Sequence, residues 1–463
     1  MVGIFLLKVL CGVVFWYIYT FHYGDRDKAD IYKYFDDSKI MFDALRTNTS
    51  DFLRMFFGFD SDPRFQREYY SHMHIWTPQF ENTASIENHS MIRLNVIFRF
   101  FSLGYYQVHN IFINLLSFAG LLALYKTFEG YAVGKRKLLF LAICLLPGVL
   151  FWGSGVIRES FILFAMGFSV YYLHKLLTTN LRGAEFFFLF VFLFLLLLIK
   201  MVLCVLIVAA FVGWWMSIKI HKWPAGINFL TVFVVGFLAV VLLARTTSIN
   251  YLKSLVTKQI DFVNTANGGV YLLKGNKMAY IPFDKKTELL TQMGDSLYKI
   301  NPNSDYYYYN MPNSADTIFV KNATDTLVYK LFSSAEPARS TIRIPLLKAT
   351  PFSFVMNAPL AFANVLTRPH PLEINSFIMF PAAAENLLIL FFILLVLFRM
   401  DRNALNEPAF YFCISIVTSF YVLVGWITPI LGVVVRYKIV VLPFLMIALV
   451  LLFSPPKKTE KKI

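Results

Sequence analysis

The sequence predicts an all-α polytopic membrane protein of about ten transmembrane helices carrying a small β-rich extracytoplasmic insert. Three observations predict it. Of 463 residues 57% are hydrophobic, 49 of them Phe, and the mean hydropathy is +0.59, far above an ordinary soluble domain. Apolar runs recur at the ~20-residue length that crosses a bilayer. The basic residues fall in short stretches between those runs, as the positive-inside rule produces. That placement also explains the formal net charge of +15 and excludes nucleic acid as the partner, leaving membrane lipids.

In chain order the spans fall at 3–22, 105–126, 138–153, 158–175, 185–200, 201–218, 227–245, 384–399, 408–427 and 437–454. The first run, MVGIFLLKVLCGVVFWYIYTFHY, lacks a small-residue cleavage pattern and reads as a retained helix. Residues 185–218 are almost continuously apolar. A single helix of that length would overshoot a ~30 Å hydrocarbon core, so a hairpin turning at Lys200 is expected. Four cysteines, Cys11, Cys144, Cys204 and Cys413, lie within apolar runs and read as free thiols.

Lys126, Lys135, Arg136, Lys137, Lys175, Arg182, Lys219, Lys222, Arg399, Arg402 and the tail PPKKTEKKI all fall on one side when the N-terminus is cytoplasmic. The expected organisation is a seven-helix region 1–245 that includes an outer loop 23–104, an outer insert 246–383, a three-helix region 384–454 and a basic cytoplasmic tail 455–463. Both termini are then cytoplasmic, in a bacterial inner membrane, with the working face periplasmic. The loop 23–104 reads as surface-lying amphipathic helices, with Tyr34, Met41, Leu45 and Phe52 at helical spacing. The insert begins as helix and continues as short strands, with a hairpin around Gly275-Asn276. Its Tyr run 306–309 suits either a strand with one packed face or a sugar-stacking platform.

The polar residues of the outer face are the candidate site. TrpGlySerGlyValIleArg158Glu159 is expected as a tight turn at the outer boundary. There Glu159 suits the helix dipole and Arg158 either snorkels or meets a phosphate. Adjacent helix positions point ~100° apart, so the two need not pair. Asp25 and Asp27 follow the first span at once, with Asp30 and Tyr34 beyond. A carboxylate fixed at the membrane edge is what deprotonating an acceptor hydroxyl requires. Arg436 and Lys438, at the outer side of the last span, oppose the positive-inside trend and suit a phosphate or an anionic headgroup. Arg368-Pro-His370-Pro-Leu-Glu373 is a proline-stiffened loop presenting Arg, His and Glu as substrate-binding candidates. Asp25 and Asp27 supply fewer oxygens than a hard cation takes, so no metal ligand is assigned and a divalent cation stays open as cofactor. There is no Walker loop, dinucleotide fingerprint or HExxH, so energy has to arrive in the substrate.

FWGSGVIRES, RPHPLE and GVVVRYKIVVLPF resemble stretches of multi-spanning envelope proteins of the Bacteroidota type. Those proteins are similar to GT-C glycosyltransferases or to O-antigen polymerases. The resemblance covers most of the helical chain and not the insert. It implies an integral membrane glycosyltransferase that moves a sugar from a polyprenyl phosphate or diphosphate to a glycan or lipid acceptor. Asp25 and Asp27 match the position of the acidic residue after helix one in GT-C enzymes, which implies that one of them is the base. Arg158, Arg436 or Lys438 would then hold the leaving phosphate, with Glu159, Tyr34, Arg368, His370 and Glu373 facing the substrate. Arg26 and Lys28 interleave here where the GT-C pattern often has paired acids. Alternatives are a polymerase or ligase of lipid-linked oligosaccharides, relying on arginines such as Arg339 and Arg368, and a flippase for such lipids.

Overall fold

A computed structural model describes residues 1–454 except 27–28, 77–85, 180, 221–222, 247–249, 275–276, 295, 303, 311–316, 324–327 and 375–378. The chain forms two compact units. The first comprises Met1–Val234, Ala384–Phe420 and Arg436–Ile463, and the second Val235–Ala383 and Tyr421–Val435.

The first unit opens with α1 (Val2–Tyr17), continued by a π turn over Ile18–His22. The polar segment after it folds as α2 (Asp30–Thr47), α3 (Thr49–Phe57), α4 (Pro63–Glu68) and α5 (Ile86–Ser102). Local chemistry sets these ends. The Asn48 side chain accepts the Asp51 N–H, Gly58 ends α3 at φ 83°, and Asp62 caps α4 ahead of Pro63. Asp37, fully buried, accepts the backbone N–H groups of His74 and Ile75 at 2.7 and 2.9 Å and so returns the chain onto α2. Burial pushes its carboxyl up, and those two hydrogen bonds work against the shift.

The apolar helices follow: α6 (Tyr106–Phe128), α7 (Arg136–Cys144), α8 (Pro147–Trp152), α9 (Arg158–Thr178), α10 (Gly183–Lys219) and α11 (Ala225–Thr246). Helices α6 and α9 approach closely because both carry glycine at the crossing. A Cβ on Gly120 would lie 2.5 Å from the Phe164 Cα, and one on Gly167 would meet the Gly120 backbone. The hairpin expected at Lys200 is present. Lys200 is non-helical (φ −153°, ψ 76°), and the Cys204 thiol lies 3.6 Å from the Leu193 carbonyl. Eleven residues of straight helix would hold those groups ~16 Å apart.

The second unit holds α12 (Tyr251–Asn267) and the strands β1 (Gly269–Lys274) and β2 (Lys277–Pro282). Then come the short α13 (Lys286–Leu289), β3 (Leu290–Gln292), β4 (Leu297–Ile300), β5 (Ser304–Asn310), β6 (Thr317–Ala323), β7 (Val328–Ala335) and α14 (Pro351–Thr367). The strands make one antiparallel sheet in the order β3-β4-β7-β1-β2-β5-β6. Lys274 pairs with Lys277, closing the expected hairpin, whose two turn residues lie outside the described set. Alternation sorts the faces. Val270, Leu272, Ala279, Ile281, Tyr306 and Tyr329 share one core, while Met278 and Tyr280 pack on the other face with Tyr271 and Phe332. Tyr306 is thus a packed member of its run; the side chains of 307–309 lie outside the described set.

Four more helices complete the chain: α15 (Phe380–Phe398), α16 (Pro408–Ile427), α17 (Leu431–Lys438) and α18 (Leu442–Leu452). Among the described residues seven helices are long and apolar enough to cross a membrane, or eight if α17 and α18, bent by 60°, form one broken span. The expectation of about ten differs for three physical reasons. The hairpin α10 counts as one helix, segment 138–153 is cut by Leu145-Leu146-Pro147 into α7 and α8, each shorter than a bilayer, and segment 437–454 is broken at 439–441, leaving α18 with 11 residues. Segments 384–420 and 436–454 belong to the same compact unit as residues 1–234. Helix α14 exposes Phe352, Val355, Met356 and Leu360; with 17 residues and Pro359 inside, it falls below span length.

Candidate functional site

Two adjacent residues at the start of α9 point to different partners, as a 100° step requires. Arg158 donates from Nη1 to Glu87 Oε2 at 2.7 Å, reaching α5. Glu159 turns toward α17, where Arg436 grips both its oxygens, Nε to Oε1 at 2.7 Å and Nη2 to Oε2 at 3.1 Å. The remaining arm of Arg436, Nη1, donates to Asp30 Oδ2 at 2.7 Å. One arginine therefore ties the first turn of α2 to the first turn of α9. Lys200, at the apex of the α10 hairpin, lies 3.4 Å from the Glu87 oxygen that Arg158 holds and 5.6 Å from the centre of the Tyr437 ring. Trp152 lies 5.9 Å from the Arg436 guanidinium.

The electrostatics follow from that geometry. Burial alone would push the Asp30 carboxyl up, but the Arg436 charge and hydrogen bond, with Arg158 and Lys33 beyond, hold it below the usual carboxylate range. Asp30 is therefore ionised at neutral pH. Tyr34, one turn along α2, is fully buried with its hydroxyl 3.3 Å from Asn88 Oδ1, and burial pushes its phenol up. Glu87, Arg158, Glu159, Lys200, Phe420 and Tyr437 line a cavity of ≈10 Å³, room for about one water.

The turn that launches α9 is held carbonyl by carbonyl. Lys8 of α1, fully buried, donates to Gly153 O at 2.6 Å and to Ser154 Oγ at 3.2 Å. Ser117 donates to Gly153 O at 2.8 Å, Asn114 to Ser154 O at 2.9 Å and Ser160 to Gly155 O at 2.7 Å. A Cβ on Gly12 would come 2.7 Å from Ser154 O, so glycine lets α1 touch the turn. Gly12 lies ten residues from His22 and Asn114 eight from Tyr106, which is ~12–15 Å along each helix. Relative to α1 and α6, the turn is thus sunk toward their middles, where the sequence reading had it beside their outer ends.

The sequence-predicted residues separate into three groups. Arg158, Glu159, Arg436 and Tyr34 converge as described. Lys438, two residues from Arg436, faces another way, since that step turns ~200° on a helix. It is buried and donates to Asn386 Oδ1 at 2.7 Å, next in sequence to Glu385, whose oxygens accept the Gly148 N–H at 3.0 Å. Arg368, His370 and Glu373 stand in the second unit as a self-contained knot. Arg368 Nη1 meets Glu373 Oε1 at 2.5 Å, and Glu373 Oε2 accepts the His370 N–H at 3.1 Å. Asp25 is half-buried in the connection from α1 to α2, and Asp27 lies outside the described residues. The interleaved Arg26 turns to Asp36, gripping it at 2.7 and 2.9 Å.

Sequence reasoning missed Glu87, Lys8, Glu385 and Asn386. Lys8 and Glu385 carried a usable signal, each being a charge inside or at the edge of an apolar run. Glu87 carried none, because a glutamate in a polar amphipathic helix is unremarkable until its partner is seen. Among the described residues no group of three or more His, Cys, Asp and Glu side chains converges to hold a metal ion. Compared with protein-family models, with curated proteins and with solved structures, the chain matches none.

Proposed function

We propose that this protein is an integral membrane glycosyltransferase of cell-envelope glycan assembly, taking its sugar from a polyprenyl-phosphate or -diphosphate donor at the Arg158–Glu159–Arg436 cluster. The observation that carries the reading is the pinning of Asp30, from the segment directly after the first span, to an arginine of the last helices. That brings an ionised carboxylate, two further acids and three cations to one point among apolar helices. In this reading the cations Arg158 and Lys200 face the donor's phosphate and stabilise it as it leaves. Asp30 accepts a hydrogen bond from the acceptor hydroxyl, and Asp25 and Asp27 remain candidates for taking its proton. The working face is periplasmic and both termini are cytoplasmic.

The test is the lipid-linked and surface glycan profile of cells lacking the protein, complemented with wild type or with Asp30→Asn. A glycan one sugar short, restored by wild type and not by Asp30→Asn, is the expected result. A profile identical to that of unmodified cells would remove the proposal. Accumulated single repeat units would instead assign polymerisation.

One observation favours a second reading, a flippase for lipid-linked glycans. Charged side chains are buried inside the helical unit at Lys8, Glu385 and Lys438, and two apolar segments are broken, at 145–146 and at 439–441. Broken spans flanking buried charge are what alternating access uses. The same cells separate the readings: a flippase leaves a full-length lipid-linked glycan stranded on the cytoplasmic face, a transferase leaves a shortened one.

A further inference from the structure

We propose that Glu87 is the built-in occupant of an anion site made by Arg158 and Lys200, and that a phosphate ester borne on a lipid replaces it there. The inference deepens the reading of this cluster as the donor's phosphate site and rests on it.

Charge counting locates the site. Arg436 carries one positive charge against two carboxylates, Glu159 and Asp30, so that half of the cluster is negative by one. Among the described residues Arg158 and Lys200 form close ion pairs with Glu87 and with no other acid, two positive charges against one negative, so the other half is positive by one. A phosphate is repelled from the first half and drawn to the second. Both cations converge on the same Glu87 oxygen, at 2.7 and 3.4 Å, as they would on an oxygen of a phosphate. Their anchors are independent, Arg158 on the first turn of α9 and Lys200 at the hairpin break.

Space gives the second argument. The cavity between these groups has room for about one water, so a phosphate enters only if a side chain leaves. Glu159 is 4% exposed and gripped at both oxygens, whereas the Glu87 side chain is 36% exposed. Asp30 is as exposed as Glu87 but does not line the cavity, so of the two carboxylates that line it Glu87 is the one able to leave. Replacing a carboxylate by a phosphate preserves the neutralisation of two cations that would be costly to strand among apolar helices.

The consequence has an unusual sign. Removing an acid that supports the site would weaken phosphate binding, but removing a place-holder strengthens it. Full-length protein in nanodiscs of uncharged lipid, titrated with farnesyl phosphate, should bind about tenfold more tightly as Glu87→Gln and about tenfold more weakly as Arg158→Gln or Lys200→Gln. Glu87→Asp, which keeps the charge on a shorter arm, should fall between wild type and Glu87→Gln and carries the test should Glu87→Gln not fold. Binding unchanged or weakened in both Glu87 variants overturns the proposal, as does binding indifferent to Arg158. Farnesol should not compete, and if inorganic phosphate binds as well as farnesyl phosphate the lipid-borne ligand is wrong. Displacement of farnesyl phosphate by equimolar phosphatidylglycerol would make the ligand a membrane headgroup and overturn the substrate assignment. The predicted binding pattern together with an unaltered glycan profile would leave the site standing and sink the transferase reading. An altered profile with binding insensitive to Glu87 would do the reverse.

Discussion

Two Arg-Glu pairs close in sequence behave in opposite ways. Arg368 and Glu373, five residues apart in the second unit, pair with each other across a short proline-bounded turn. Arg158 and Glu159, adjacent in the first unit, do not pair at all: their partners stand 71 and 277 residues away. The difference lies in the backbone beneath. A helix start separates neighbours by ~100° and hands each to a different packed element, whereas a turn folds the chain back on itself. Local pairs close local loops, and long-range pairs hold elements together.

The largest expected effect comes from breaking the long-range knot. Arg436→Gln leaves Glu159 buried at 4% exposure without the cation that grips both its oxygens, and breaking a buried ion pair from one side costs ~3–5 kcal/mol. Arg436→Lys should recover only part of that loss, because an ammonium lacks the fork that spans both Glu159 oxygens and Asp30. Thermal unfolding in detergent checks both variants. Adding Glu159→Gln to Arg436→Gln should restore stability relative to the single variant, and failure of that rescue would show that the arginine acts mainly through Asp30.

Two acids, one in each unit, also differ in the sign of their pH dependence. Burial pushes Asp261, on α12 of the second unit, up to about 6 against the weaker pull of Lys258. A raised carboxyl binds its proton more tightly when folded, so this unit gains stability as pH falls through about 6 toward the unfolded value near 4. Asp261→Asn should remove that gain and stabilise α12 at neutral pH, on the order of 1–3 kcal/mol. Asp30 has the opposite sign. Its carboxyl is held below the usual range, so its contribution is complete above the unfolded value of ~3.9 and is lost as pH falls through the folded one. Unfolding of wild type, Asp30→Asn and Asp261→Asn across pH 3–8 distinguishes them; the same change of pH response in both variants would undo the contrast.

This comparison also marks what the sequence makes legible. Hydrophobic run length places the apolar helices and the hairpin at Lys200, and period-two alternation with turn residues places the strands, because both signals are local. The 100° rule foretells that Arg158 and Glu159 part. It does not say to whom they go, since Glu87, Asp30 and Arg436 become neighbours only through packing of α2, α5, α9 and α17. The same rule, applied to Arg436 and Lys438, already separates them, although their shared sign and proximity had grouped them as one phosphate site. Lys8 illustrates the remaining gap. A lysine in an apolar run is conspicuous, yet that its ammonium steadies the Gly153 and Ser154 turn depends on Gly12 admitting that turn to the face of α1.

The Arg368–Glu373 pair of the second unit should respond least to substitution. The Arg368 side chain is 29% exposed, and its partner Glu373 keeps a second attachment, the His370 N–H. Arg368→Gln therefore strands no buried charge: the Glu373 carboxylate still accepts a backbone hydrogen bond and reaches solvent. The loss should stay within the ~0–1 kcal/mol of a partly exposed ion pair and shrink in high salt. Glu373→Gln should cost slightly more, because a neutral amide oxygen accepts the His370 N–H less strongly than a carboxylate. Thermal unfolding of the two variants at low and high salt reads both effects. A loss at Arg368 comparable to that at Arg436 would mean that the Arg368–Glu373 knot holds distant parts of the second unit together, and that local pairing does not mark a local role.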